Sequence, residues 1–197
     1  MELLKEYISY IPLKVSETKQ PIIIAMVGLV GAGKSTIAKA IAERTGLYVA
    51  SNDAIRRFLN EKGFQGASPV QDMLEYIAEA GTAYLLEHRV SHIIDNDLLK
   101  FHEQARLAIE AQGFRFYLLG VQCSERTILE RLKKRSKDIA NGAVDTLSRA
   151  SKEQYEVRKK VHSQTPQPVF DFIFNTENPL EPQVDTFMAH LRDEKVV

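Results

Sequence analysis

The stretch that most constrains this chain is Gly28-Leu29-Val30-Gly31-Ala32-Gly33-Lys34-Ser35-Thr36. It follows an unbroken apolar run, Ile22 to Val27, and opens into Ile37-Ala38-Lys39-Ala40-Ile41-Ala42-Glu43, which has helical spacing. Strand, glycine-rich turn, Gly-Lys-Ser-Thr and helix together are a phosphate-binding P-loop in its structural context. Gly28, Gly31 and Gly33 permit backbone angles that turn successive N–H groups toward a phosphate, and the helix N-terminus adds further donors and a partial positive charge. Lys34 is placed to reach the β- and γ-phosphates, and the Ser35 hydroxyl to complete the shell of a Mg²⁺ ion. ATP and Mg²⁺ are therefore the expected cofactors, with residues 28–36 as the nucleotide site.

The rest of the chain alternates strands and helices. An N-terminal arm (residues 1–20) carries Leu3, Leu4, Tyr7, Ile8 and Ile11 on one helical face, ended by Pro12 and followed by a linker. It is expected to pack on the domain or on a partner chain, which is the route to an oligomer. The P-loop domain spans 21–197. Strands are expected over 22–27, 47–50, 90–94, 114–121 and 169–174. Helices are expected over 72–88, 98–111, 125–137 and 147–162, with a last one from Pro182. Residues 60–71 read as a loop and 138–147 as a turn. Ser51 or Asp53 caps the helix after the second strand. Such alternation predicts an α/β fold, a parallel sheet covered on both faces.

Composition excludes several classes. The 197 residues carry a formal net charge of +0, so overall charge does not favour a long polyanion or a membrane surface as partner. The single cysteine, Cys123, rules out an intramolecular disulfide and reads as a structural thiol. No apolar run approaches the ~20 residues of a membrane span, and Glu2, Lys5 and Glu6 interrupt any leader pattern. A cytoplasmic location is expected. The histidines lack zinc-site spacing and are expected in ordinary surface or cleft positions.

Three features indicate what happens to the nucleotide. Asp53 ends the second strand, at the ligand edge of such a sheet, and can accept a proton from an attacking hydroxyl. Arg56, one helical turn later, can hold an anionic group of the acceptor bidentately. Asp95, after the third strand, can orient the metal; Asp97 is its rival for that role or an acceptor contact, and Arg106, two turns along, either points back at the acceptor or lies in solvent. The basic run at Arg126, Arg131, Lys133, Lys134, Arg135 and Lys137 reads as a lid, about 126–150, whose Arg131 and Arg135 share one helical face over the phosphates.

Gly-Leu-Val-Gly-Ala-Gly-Lys-Ser-Thr, Ser-Asn-Asp-Ala-Ile-Arg, Ile-Ile-Asp-Asn-Asp and Glu-Arg-Leu-Lys-Lys-Arg together resemble small P-loop kinases. That group includes polynucleotide kinase domains and relatives of zeta-toxin and chloramphenicol phosphotransferase. The resemblance covers about residues 21–175. It implies a three-layer P-loop NTPase fold of the nucleoside monophosphate kinase type, with sheet order 2-3-1-4-5 and a helical lid. It implies Asp53 as general base, Arg56 as acceptor ligand, Arg135 as the lid arginine, and Asn175 beside the adenine. The expected activity is transfer of the ATP γ-phosphate to a hydroxyl of a small molecule or a nucleic-acid end. The competing expectations are a nucleotide-dependent ATPase or switch, and an inactive kinase-like interaction protein. An Asn-Lys-x-Asp guanine motif is absent after strand four, and Asn96 stands where a motor-type ATPase carries an acid.

Overall fold

A computed structural model of the chain describes residues 2–12, 20–64, 67–142 and 150–194. Five parallel strands form one sheet in the order β2-β3-β1-β4-β5. They are β1 (Ile22–Val27), β2 (Tyr48–Ala50), β3 (His92–Asp97), β4 (Arg115–Gln122) and β5 (Phe172–Asn175). All six residues of β1 are buried, and so are the central six of β4, as strands covered on both faces require. Side chains alternate between two cores. Ile22, Ile24 and Met26 face Ile37 and Ile41 of helix α2 (Lys34–Thr45) and Phe187 and Leu191 of the last helix, α8 (Leu180–Asp193). Ile23, Ala25 and Val27 face Ile109 of α5 (His102–Glu110).

A third cluster covers the β2 edge. Tyr7 and Ile11 pack on Phe58 and Leu59 of α3 (Asn52–Glu61) and on Leu74 and Ile77 of α4 (Ala67–Glu87). The N-terminal helix α1 (Glu2–Ser9) thus docks on its own chain, and Lys62 pairs with Glu6. Most of the linker expected after it, residues 13–19, lies outside the described residues.

The elements differ from the expected bounds for local reasons. Part of the loop expected over 60–71 is helix, since α3 runs to Glu61 and α4 starts at Ala67. Pro69 falls in the first turn of α4, where its missing N–H has no helical partner to lose. Likewise α8 starts two residues before Pro182. β3 runs on through Asp95-Asn96-Asp97 because its register with β1 breaks there: Ala25 aligns with Ile94 and Met26 with Asp97. That irregularity places two extra residues at the ligand edge. β5 begins only at Phe172, and Val169 is 92% exposed.

Helix α6, in the segment expected to form a lid, spans Glu125–Ala140 and is followed by α7 (Lys152–Gln164). Residues 143–149 of the expected lid lie outside the described residues. His92, expected at a surface or cleft, is instead 1% exposed, with Nδ1 at 2.8 Å from the Val90 carbonyl. Among the described residues no helix is long and apolar enough to cross a membrane.

Candidate functional site

The phosphate loop grows out of a crowded strand end. A Cβ on Gly28 would lie 2.7 Å from the Val121 carbonyl oxygen, so only glycine lets β1 leave the sheet beside β4 here. Gly33 caps α2 in a left-handed conformation (φ 108°) and no side chain caps that N-terminus. The first turn of α2 therefore keeps its donors for an anion. Lys34 folds over the loop, its Nζ donating to the carbonyls of Gly28 at 2.7 Å and Leu29 at 3.1 Å. Burial holds this ammonium below its ordinary range, against the opposing pull of Asp97 and Asp95.

The loop forms one wall of a cavity of about 870 Å³. Val30, Gly31, Gly33, Lys34, Ser35 and Thr36 line it directly. Gly28 and Leu29 border a separate cavity of about 410 Å³, and Ala32 is buried, offering its carbonyl to Arg131 and Thr176. Across the larger cavity stand Asp53, Arg56, Asp95 and Asp97, so residues 19 to 63 positions away in the chain converge on Lys34.

Each acidic group is set by its surroundings. Ser51 caps α3, its Oγ accepting the Ala54 N–H at 3.1 Å, which leaves the Asp53 carboxylate for other work. Arg56 Nη1 holds that carboxylate at 2.6 Å. Asp95 and Ser35 line the cavity together, close enough for the Ser35 hydroxyl to favour the charged form of the Asp95 carboxyl, which brings together the two expected metal-site residues. Burial raises the Asp95 carboxyl above its ordinary value, and nearby Asp53 adds to this, while Ser35 and Lys34 oppose it. Asp97 moves the other way. Burial alone would raise it, but His162 Nε2 at 2.9 Å, Lys34 and the Gly28 N–H hold it below the ordinary carboxylate value. The two carboxylates of β3 are thereby differentiated, Asp95 toward the Ser35 hydroxyl and Asp97 toward α7.

The two arginines expected on a lid divide the same way. Arg131 is tied down: its guanidinium donates to the Ala32 carbonyl, the Thr176 hydroxyl and, at 2.8 Å, the Thr176 carbonyl. It fastens α6 to the phosphate loop and to the turn after β5, a structural role that the expectation of a catalytic arginine did not include. Arg135 lines the cavity with a buried Nε that has no hydrogen-bond partner among the described residues. Sequence reasoning missed Arg158 and Gln154 of α7, which also line the cavity, with Arg158 close enough to Lys34 to lower its pKa. Their four-residue spacing was legible as one helical face, but not which face turns inward.

Two expected residues are placed elsewhere. Arg106 does not line the cavity: it binds Asp171 at 2.8 Å and stacks over Phe116, bracing β4 and the approach to β5. Asn175 borders the smaller cavity, while Thr176, Asn178 and Leu180 line the larger one. Cys123 is half-buried against the core, its sulfur 3.5 Å from Arg131, consistent with a structural thiol.

With this geometry in place, the chain can be set beside known proteins. Its fold matches a candidate kinase from Chloroflexus aurantiacus at 18% identity and a TM-score of 0.60, covering 88% of this chain and 100% of that one. It also matches the Mycobacterium tuberculosis APS kinase CysC in complex with AMPPNP and APS, at 15% identity and a TM-score of 0.55, covering 88% and 98%. At these identities the likeness establishes the shared fold, the three-layer P-loop arrangement with sheet order 2-3-1-4-5. A UPF0200 protein of Aeropyrum pernix is 33% identical over 124 residues, 58% of this chain, and the match spans 65% of that relative's length. A family profile described as an AAA domain matches residues 23–162, which hold the phosphate loop, Asp53, both β3 carboxylates and the lid arginines, and the chain belongs to that family.

Proposed function

We propose that this chain is a kinase that transfers the γ-phosphoryl group of ATP to a hydroxyl group with the help of Mg²⁺. The observation that carries the reading is Asp53: a half-exposed carboxylate held at 2.6 Å by Arg56, in the same cavity as Lys34 and an uncapped helix N-terminus. A nucleotide binder that only switches has no use for an oriented carboxylate opposite its phosphate loop. A kinase needs one to take the hydroxyl proton.

The residues present fit ATP and Mg²⁺. The uncapped start of α2 offers amide donors, the buried Arg135 Nε lacks a partner among the described residues, and Ser35 and Asp95 form a hydroxyl–carboxylate pair of the type hard cations use. When bound, the metal neutralises charge on the phosphate oxygens. The chain's own contribution is positional. Lys34 exchanges the carbonyls of Gly28 and Leu29 for phosphate oxygens. Arg135 and Arg158 bring positive charge over the transferring group from the lid side. Asp53 receives the acceptor's proton, with Arg56 holding it in place. Arg131 keeps α6 seated so that the lid closes on the loop. Support also comes from the resemblance of the motifs to those of the polynucleotide kinase and zeta-toxin group, and from the AMPPNP and APS bound by the neighbouring APS kinase fold.

The test is Asp53→Asn, assayed with γ-labelled ATP over a panel of metabolites and oligonucleotides. ATP affinity is expected to stay within about twofold, while transfer falls by roughly 10²–10⁴-fold. Transfer at near-normal rate by the variant would remove Asp53 as the base.

A further inference from the structure

The acceptor's chemistry can be read from the wall that faces the phosphate loop. We infer that the acceptor is a small uncharged polyhydroxy compound, a sugar or polyol. This rests on the phosphotransferase reading above and goes beyond it by naming the class of acceptor.

The first observation is the charge pattern of the cavity. Among the described residues the only cation on the acceptor side is Arg56, and it is already neutralised by Asp53 at 2.6 Å. The other cations lining the cavity, Lys34, Arg131, Arg135 and Arg158, belong to the phosphate loop, α6 and α7. Their excess over Asp95 and Asp97 is two charges, which offsets the two negative charges of magnesium-bound ATP. No positive charge is left over for an anionic acceptor, and burying an unpaired carboxylate or phosphate beside Asp53 and Asp95 is strongly unfavourable.

The second observation is what else lines that side. Asn52, Asn96 and Gln71 contribute primary amides, from the start of α3, the end of β3 and the start of α4. Asn96 Nδ2 reaches Asn52 Oδ1 only at 3.4 Å, a weak contact that a hydroxyl can replace. Each amide both donates and accepts, as each hydroxyl does, so a row of amides reads a row of hydroxyls. A nucleoside or nucleic-acid end calls instead for stacking on an aromatic ring. No Phe, Tyr or Trp lines the cavity among the described residues.

The third observation is the Arg56 side chain, 16% exposed, whose Nε is buried and has no hydrogen-bond partner among the described residues. With its charge balanced by Asp53, this guanidinium still has an N–H to offer a neutral oxygen. A hydroxyl placed there lies within the reach of the same residue that orients the base.

The experiment uses a deproteinised cell extract separated into charged, charcoal-binding aromatic, and neutral unretained fractions. Each fraction is incubated with the full-length protein and γ-labelled ATP. Label is expected in a product of the neutral fraction, and defined sugars and polyols are expected to exceed their carboxylated or phosphorylated counterparts by about 100-fold or more in kcat/KM. Asn52→Ala is expected to raise KM for the neutral acceptor about 3–10-fold, as loss of one neutral hydrogen bond does, without changing ATP affinity. Label confined to the charged or the charcoal-binding fraction overturns the acceptor class and leaves the kinase reading standing. Label in none of the three, with ATP bound, overturns the kinase reading itself.

Discussion

Replacing Gly28 with Ala tests how the phosphate loop is launched from the sheet. The added Cβ would stand 2.7 Å from the Val121 carbonyl oxygen and 3.0 Å from Val121 Cβ. Ordinary contact begins near ~3.4 Å, so the two chains must part by roughly 0.7 Å. The atom in the way is backbone, in a β1–β4 pair where Val27 aligns with Gly120, so rotamer change alone cannot relieve it. The Gly28 N–H is also the donor to Asp97 Oδ1 at 3.4 Å, and that contact lengthens with the same movement. Overpacking of this kind costs about 1–3 kcal/mol, which for a chain of this size lowers Tm by roughly 2–12 °C.

Differential scanning calorimetry and nucleotide titration on the same samples read both consequences. Tm is expected to fall and ATP affinity to drop more than the stability loss explains, because the loop itself is displaced. Gly63→Ala is the control: nothing lies within 4 Å of its added Cβ, but φ is +81°, so it costs only about 1 kcal/mol of left-handed strain and leaves ATP binding intact. A Gly28→Ala protein with unchanged Tm and unchanged ATP affinity would refute the crowding argument.

Three further outcomes follow from the site. Asp95 has its pKa raised in the folded state by burial, so at neutral pH its charge costs stability, a penalty in force above the folded pKa and absent below 3.8; Asp95→Asn should raise the urea midpoint at pH 7 while removing Mg²⁺-dependent transfer, and a lowered midpoint would contradict the sign. Asp97 is shifted the opposite way, so its pairing with His162 stabilises the fold above pH ~4 and is lost as pH falls through a folded value below 3.8; Asp97→Asn should be less stable than the parent at pH 6 and converge with it in strong acid, as read by urea melts across pH. Arg131→Ala removes the three hydrogen bonds to Ala32 and Thr176, and is expected to cost about 2–4 kcal/mol in denaturant unfolding; a loss of rate without loss of stability would return Arg131 to a catalytic role.

How much of this was readable in advance differs element by element. The buried β1 and the phosphate loop were legible because each rests on short-range pattern: six apolar residues, three glycines at fixed spacing, and an apolar helical stripe; the strand order came only through the resemblance to small P-loop kinases, because pairing joins segments far apart in the chain. Asp53 and Asp95 were legible because the carboxyl ends of parallel strands share one edge, so sequence position translates into place. Arg106 was misplaced because a helix presents several faces, and Asp171, 65 residues later, together with Phe116 decides which face of α5 turns inward. Arg131 and Arg135 look equivalent at four-residue spacing, and only the Thr176 turn after β5 separates a clamp from a cavity-lining residue. Arg158 was overlooked for the complementary reason: it lies in a basic helix indistinguishable by pattern from a solvated one.

By itself, then, the order of residues determined which groups the proposed chemistry draws on: a glycine loop at the end of β1, a hydroxyl beside it, and carboxylates at the strand ends. Tertiary contacts alone decided how the charges are shared out, with Arg56 held against Asp53, His162 against Asp97, and Arg131 against Thr176. The physical reason is range. Backbone conformation and apolar periodicity are set within a few residues, whereas a side chain's charge state and partner depend on whatever distant segment the fold brings within hydrogen-bonding distance.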